Sequence, residues 1–186
     1  MYAKDILTFL IQGSGTLIKS ATEDFTDAQW VQRALPMTNP PGFVVWHMAR
    51  TVDWALQCGV RGVPEVAAGD AFRAMGVELG IGTGVPPEKA MDIARQMPRE
   101  SVAAYAVAVI RESLDWLATA SEEELESPTR MKQNQAAFPV YRADGHLEQV
   151  HDLLGLPNWQ VLARPASNHI RVHHGELQLL AEAFRA

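Results

Sequence analysis

Two histidines near the C-terminus, His169 and His173, have the spacing of a metal-binding pair. Residues four positions apart on an α-helix lie on one face, about 6 Å apart along the axis. Two such imidazoles can bind one divalent ion without strain in the backbone, and neutral imidazole binds zinc, nickel, copper and iron. The alternative is a pair of surface histidines that bind nothing. Leu177 and Leu180 lie on the same face and favour the metal site, because an imidazole turned inward needs a partner.

Glu176 follows His169 by seven residues and therefore lies on the same predicted face. It is interpreted as a fourth ligand, as a base that acts on metal-bound water, or as a solvated helix residue, and the residues alone leave these alternatives open. The pattern differs from the HExxH motif of zinc proteases, because Ile170 stands where that motif has glutamate.

His47 is the third candidate ligand and lies in the apolar run 44–48, VVWHM. A single histidine in such a run is more often a core residue with one hydrogen bond. Combined with His169 and His173, it would complete a set of three nitrogen ligands that leaves a fourth position open for water or substrate.

The remaining histidines and the single cysteine are weaker candidates. His174 lies about 100° around the helix from His173 and should point away from the same metal. His146 and His151 are five residues apart, a poor spacing on a helix, and are interpreted as solvent-facing, with the rim of a pocket as the alternative. Cys58 is interpreted as a small buried apolar residue.

These residues require helices to position them, and apolar spacing of three and four predicts four main helices. They span about Tyr2–Thr22, Pro41–Cys58, Arg99–Ala118 and Ala166–Phe184. No convincing strand alternation appears. The predicted fold is therefore all-α, an antiparallel four-helix bundle that forms a single domain over residues 1–186, with short extra helices and long connections.

Two long connections separate these helices. Segment 61–87 is rich in glycine and proline and is expected to hold at most one short helix. Its run Gly80–Gly84, GIGTG, is interpreted as a flexible linker, because no Lys-Ser/Thr pair follows to complete a phosphate loop. Segment 128–165 is expected to be mostly loop with one or two short helices.

Composition excludes several classes of protein. With 186 residues, a net charge of −6 and no long basic run, the chain is not expected to bind nucleic acid or an anionic membrane. One cysteine excludes a disulfide framework within the chain. The N-terminus lacks the pattern of a signal peptide, and no apolar run reaches the length of a membrane span, so a cytoplasmic location is expected.

Three stretches resemble the DinB-like superfamily, which includes the YfiT-like metal-dependent hydrolases. Residues 39–49 (NPPGFVVWHMA) resemble the second helix of that family, which carries a ligand histidine. Residues 121–125 (SEEEL) are similar to the segment that closes its third helix, and residues 169–177 (HIRVHHGEL) to its terminal His-x-x-x-His pattern.

The resemblance implies that His47, His169 and His173 are the ligands of a divalent metal, with zinc or nickel expected first and iron or manganese as alternatives. It implies a homodimer that acts on a small molecule by hydrolysis or by transfer of a low-molecular-weight thiol such as bacillithiol or mycothiol. The rival interpretation is a non-catalytic or stress-related protein with a structural or vestigial site. Family members usually have glutamine near the position of Glu176, so this chain departs from the family there. Glu176 is interpreted as a base or as a group behind the ligands.

Overall fold

Regular structure in this chain is helical. The computed structural model describes residues 3–142 and 144–186, and in these ranges it contains no strand, only an isolated bridge between Pro128 and Pro157. The predicted all-α class is therefore confirmed. The predicted helix start at Tyr2 lies outside the described residues.

Ten α-helices occur in the described ranges. They are α1 (Ala3–Glu23), α2 (Asp27–Trp30), α3 (Pro41–Asp53), α4 (Pro87–Gln96), α5 (Arg99–Thr119), α6 (Glu122–Glu126), α7 (Met131–Gln135), α8 (Asp144–Gln149), α9 (Asn158–Ala163) and α10 (Ile170–Ala183).

Local sequence explains where several of these helices begin. Pro41 and Pro87 occupy the first positions of α3 and α4, where a helix has no use for the amide hydrogen that proline lacks. Thr26 forms a capping box with Gln29 at the start of α2. Ser121 accepts a hydrogen bond from a backbone amide in the first turn of α6.

Two π-helical segments extend the helices that carry the candidate ligands. Trp54–Arg61 continues α3 and ends at Gly62, whose φ is +67°. Arg164–His169 leads directly into α10, and Pro165 in this segment has no amide hydrogen to donate to the preceding turn. Wide turns of this kind often occur at functional sites. The sequence analysis predicted a regular α-helix from Ala166, whereas residues 166–169 belong to this wider π-helical turn and the α-helix begins at Ile170.

The first 13 residues of the second predicted helix form α3, which lies at the centre of the fold. Every residue of α3 is buried, and α3 contacts α4, α5 and α10, while α1 contacts α5 and α10. The four long helices α1, α3, α5 and α10 thus contact one another in a closed series. In the described ranges, no helix combines the length and the hydrophobicity that crossing a bilayer requires.

The two long connections contain more helix than the sequence pattern predicts. Segment 61–87 forms three short 3₁₀ segments, and segment 128–165 contains α7, α8, α9 and two 3₁₀ segments. Tertiary contacts order them: the indole N–H of Trp46, for example, donates to the Met75 carbonyl at 3.0 Å. A contact of this kind leaves no periodic signal in the sequence.

Candidate metal centre

Three histidines from two distant parts of the chain converge at one point. His47 comes from α3, His169 is the last residue of the second π-helical segment, and His173 lies in the first turn of α10. One nitrogen of each ring lies within 4.8 Å of the others. The Nε2 atoms of His47 and His169 are 3.0 Å apart. The structure therefore brings together the three residues that the sequence analysis selected.

The donor set fits a divalent metal ion. Two nitrogens that bind one tetrahedral zinc ion at about 2.0–2.1 Å lie about 3.3 Å apart, close to the spacing of His47 and His169. The ring centroids of the three imidazoles are 4.5–5.0 Å apart, which places them around one point. This three-histidine group is able to hold a metal ion, and its all-nitrogen character suits zinc, nickel or iron.

His47 is held by the loop that precedes α4. Its Nδ1 is hydrogen-bonded to the Ile81 carbonyl, and because a carbonyl can only accept, Nδ1 carries the proton. The Nε2 lone pair is then free to face the other two histidines. Phe43 stacks on the imidazole, with ring centroids 6.0 Å apart and an interplanar angle of 3°. Burial lowers the pKa of His47 to about 4, although the Ile81 carbonyl opposes this shift.

His169 is also kept neutral by its surroundings. Burial lowers the pKa of His169 to about 3, and repulsion from a charged His47 or His173 adds to this effect. A metal ligand must be an unprotonated imidazole, so the low pKa of His169 prepares the side chain for that role near neutral pH.

Glu176 lies behind His173. Its Oε2 is 2.7 Å from Nδ1 of His173, one helical turn earlier, and both side chains are partly buried. A carboxylate that accepts the Nδ1 proton fixes the ring and makes its Nε2 a better ligand. Glu176 is outside the three-residue group. Of the alternatives drawn from the sequence, this contact favours a supporting role behind a ligand.

The other histidines stay outside the group. His151 is exposed, with Nδ1 2.6 Å from the Glu148 carbonyl, and His174 is partly exposed. The solvent-facing interpretation is wrong for His146, which packs against Tyr141 and Trp54 with ring centroids 4.8 and 5.4 Å away. The apolar contacts made by the two aromatic rings explain this placement, which the five-residue spacing gave no means of predicting.

Cys58 is fully buried, as predicted. Burial raises the pKa of its thiol well above the usual range, so the thiol stays protonated. It lies in the apolar cluster that also contains Trp54 and Tyr141.

The run Gly80–Gly84 is not a free linker. The Ile81 carbonyl bonds to His47, and the side chain of Ile81 is buried. Gly82 has φ +77°, and a Cβ there would lie 2.6 Å from the Trp46 ring, so the loop packs closely on α3. Sequence reasoning missed this loop as part of the centre. Its alternating glycines at 80, 82 and 84 were the available signal.

A cavity of about 410 Å³ borders the centre on the side of His169. Trp54, Leu153 and Val172 give it apolar walls, whereas Asn168 and Arg164 add polar groups. Its size and mixed lining suit a small organic molecule.

Comparison with curated proteins finds no match to this chain. The family model of the DinB superfamily matches residues 13–149. The matched segment includes His47 and the Ile81 loop and ends before His169 and His173, so the assignment of the C-terminal pair rests on the geometry of the centre. Because the match covers most of the sequence, the chain belongs to the DinB superfamily.

Proposed function

We propose that this protein is a metal-dependent enzyme that acts on a small molecule, by hydrolysis or by transfer of a low-molecular-weight thiol. The observation that carries the proposal is the convergence of His47, His169 and His173 beside a cavity of about 410 Å³. Membership of the DinB superfamily supports it. A divalent ion, zinc or nickel first, would supply Lewis-acid activation of a nucleophile there.

Each residue around the centre has a separate role in this proposal. The three histidines would hold the ion through neutral nitrogens, Glu176 would keep a proton on Nδ1 of His173, and the Ile81 carbonyl would do the same for His47. Three protein ligands would leave room for water or substrate, as in catalytic rather than structural zinc sites.

The cavity would receive the substrate. Trp54 and Val172 give it apolar surface, and the Arg164 guanidinium, paired with Asp152, lies at the same cavity. An apolar pocket with a few polar groups orients a small molecule beside the ion.

Metal content tests the proposal first. Protein purified without chelator should hold about one metal ion per chain by elemental analysis, and His169→Ala should hold almost none. His174→Ala is the matched control, since it removes a neighbouring histidine that is outside the group. Native protein without stoichiometric metal, even after incubation with zinc or nickel, would contradict the enzymatic proposal.

Two assays then separate the reactions and the non-catalytic rival. Hydrolysis predicts turnover of an ester such as p-nitrophenyl acetate with metal and water alone. Thiol transfer predicts consumption of an electrophile such as 1-chloro-2,4-dinitrobenzene only when bacillithiol or mycothiol is supplied. A purely structural metal would give neither activity and a large fall in melting temperature on chelation.

The arrangement proposed for this centre is an antiparallel four-helix bundle that dimerises. Contacts of α1 with α5 and α10, and of α3 with the same two helices, support the bundle. A groove of about 780 Å³ between α1 and α5 is lined by small and apolar side chains, with Val107 exposed in it. Three cations and three anions also line the groove, a balance that suits a second copy of the chain around a twofold axis: Lys19, Arg99, Arg111, Glu23, Glu100 and Asp115.

A further inference from the structure

Two side chains of α3, one helical turn apart, bind two consecutive carbonyls of the same loop. Nδ1 of His47 donates to the Ile81 carbonyl, and Nε of Arg50 donates to the Gly80 carbonyl at 3.1 Å. In an extended chain successive carbonyls point to opposite sides. Since both carbonyls face α3, the chain is not extended here, and Gly80, just before them, has φ +61° and ψ −143°, a conformation that is open essentially to glycine.

The other side of Arg50 lies in a buried cluster, which Arg50 forms with Asp53, Glu65, Tyr105 and Tyr141. One terminal nitrogen of Arg50 lies 3.1 Å from Glu65 and 3.2 Å from the Tyr141 hydroxyl. The other lies 3.5 Å from Asp53 and 3.2 Å from the Tyr105 hydroxyl. Arg50 is fully buried, and each of its three nitrogens has a partner. The guanidinium therefore has one available orientation.

The same cluster ties segment 61–87 to α3 at a second point. The Asp53 carboxylate accepts from the backbone amides of Val66 and Ala67 at 2.9 and 3.0 Å. The beginning of the segment is thus held by Asp53, and its end is held by Arg50 and His47. Replacing a buried ion cluster by apolar residues of equal volume is often neutral or stabilising, so the cluster is not explained by stability alone.

We propose that Arg50 is a positioning residue for the metal centre. It fixes the Gly80–Ile81 carbonyls, and through the Ile81 carbonyl it holds His47 with its proton on Nδ1 and its Nε2 lone pair directed at the metal position. This inference rests on the proposed metal site, but its first consequence, the tautomer of His47, belongs to the protein without metal.

Two variants disturb the loop in independent ways. In Arg50→Lys, the ammonium still balances the negative charge of the buried carboxylates. It lacks the planar guanidinium, whose Nε also reaches the Gly80 carbonyl. Gly82→Ala leaves the cluster intact, and its new Cβ would push the loop away from the Trp46 ring. Leu117→Ala is the control: Leu117 is buried in the core on α5, so the variant loses stability without a change at the loop.

The first measurement uses nitrogen-15 NMR of the histidine rings in metal-free protein. Native protein should show His47 as the Nδ1–H tautomer, whereas Arg50→Lys and Gly82→Ala should move it toward Nε2–H. The second measurement is zinc affinity by chelator competition, together with the visible spectrum of the cobalt-substituted protein. Zinc affinity should fall about 10- to 100-fold in both variants, the usual effect of losing the support behind a ligand.

Leu117→Ala should lower the melting temperature and leave the tautomer and the zinc affinity unchanged. The inference is overturned if Gly82→Ala and Arg50→Lys keep the Nδ1–H tautomer and bind zinc within about twofold of native protein. If Arg50→Lys does not fold, an unchanged tautomer and zinc affinity in Gly82→Ala overturn the inference by themselves, because Arg50 is proposed to act through this loop. If native protein binds no metal but the two variants shift the tautomer, the proposed function fails while the positioning role of Arg50 stands.

Discussion

The Nε2 atoms of His47 and His169 lie 3.0 Å apart, although 122 positions separate the two residues in the chain. Because Nδ1 of His47 already donates to Ile81, its Nε2 can only accept. His169 must therefore donate from Nε2 in the metal-free protein. If both Nε2 atoms are to bind a metal, the proton of His169 must move to Nδ1. The metal-free pair therefore has the spacing of a metal site, but a proton occupies the Nε2 position of His169.

The stability of the metal-free protein should depend on these two histidines in acid. Burial lowers the pKa of His47 to about 4 and that of His169 to about 3, whereas in the unfolded chain both titrate near 6.5. The unfolded state thus binds more protons below pH 6.5, and the free energy of unfolding should fall as pH drops from 6.5 toward 4. Urea unfolding with chelator present, at pH 7, 6 and 5, measures this fall.

The double variant His47→Gln/His169→Gln provides the control for this titration. It should lose less stability than native protein between pH 7 and 5, since the groups that resist protonation are gone. Equal losses in the two proteins would show that the histidines are not held neutral by the fold.

Glu176 should increase metal affinity through His173. Removal of the carboxylate in Glu176→Ala should weaken zinc binding about 10- to 100-fold, and Glu176→Gln, which keeps an acceptor but no charge, should have a smaller effect. Chelator competition with purified apoprotein gives both affinities. An unchanged affinity in Glu176→Ala would return this residue to the alternatives of a base or a solvated side chain.

The sequence predicted the long helices and the His169–His173 pair, because both leave local signals. Apolar spacing predicted α5 to within a residue, and the His169–His173 spacing follows from helix geometry. Assigning His47 to the same site depended on its combination with that pair and on the family resemblance, because nothing in its own segment indicates a distant partner.

The support behind the ligands could not be predicted in the same way. The Ile81 carbonyl is a backbone group, so no side-chain type marks it, and Arg50 sits in a helix whose whole surface is buried. A buried arginine can be recognised only when Asp53 and Glu65 are known to lie beside it. These contacts arise from tertiary packing of segment 61–87, which has no periodic pattern.

Glu65 should make stability depend on pH in the opposite direction to the histidines. Burial raises the pKa of Glu65 to about 7, although Arg50 opposes the shift, so the folded state retains a proton that the unfolded state loses from about pH 4.5 upward. The free energy of unfolding should therefore fall as pH rises from 4.5 to 7. Glu65→Gln cannot ionise, and its stability relative to native protein should rise over this range by on the order of 1–3 kcal/mol.

Urea unfolding of native and Glu65→Gln proteins at pH 4.5, 6 and 7 checks this difference. Glu126→Gln is the matched control, because it makes the same substitution at an exposed site. Parallel curves for Glu65→Gln and native protein would show that Arg50 keeps Glu65 ionised in the folded state throughout.

The groove between α1 and α5 should be the dimer interface. Val107 is 64% exposed in this groove, and a glutamate there would carry a charge into the apolar part of the interface, where its burial costs free energy. Light scattering should give native protein twice the 20.5 kDa mass of one chain and Val107→Glu the mass of one chain. Leu179→Glu is the matched control: Leu179 is 73% exposed outside the groove, so its variant should remain dimeric. A native monomer at micromolar concentration would show that no second copy covers the groove. A dimer that survives Val107→Glu would show that the interface lies elsewhere on the chain.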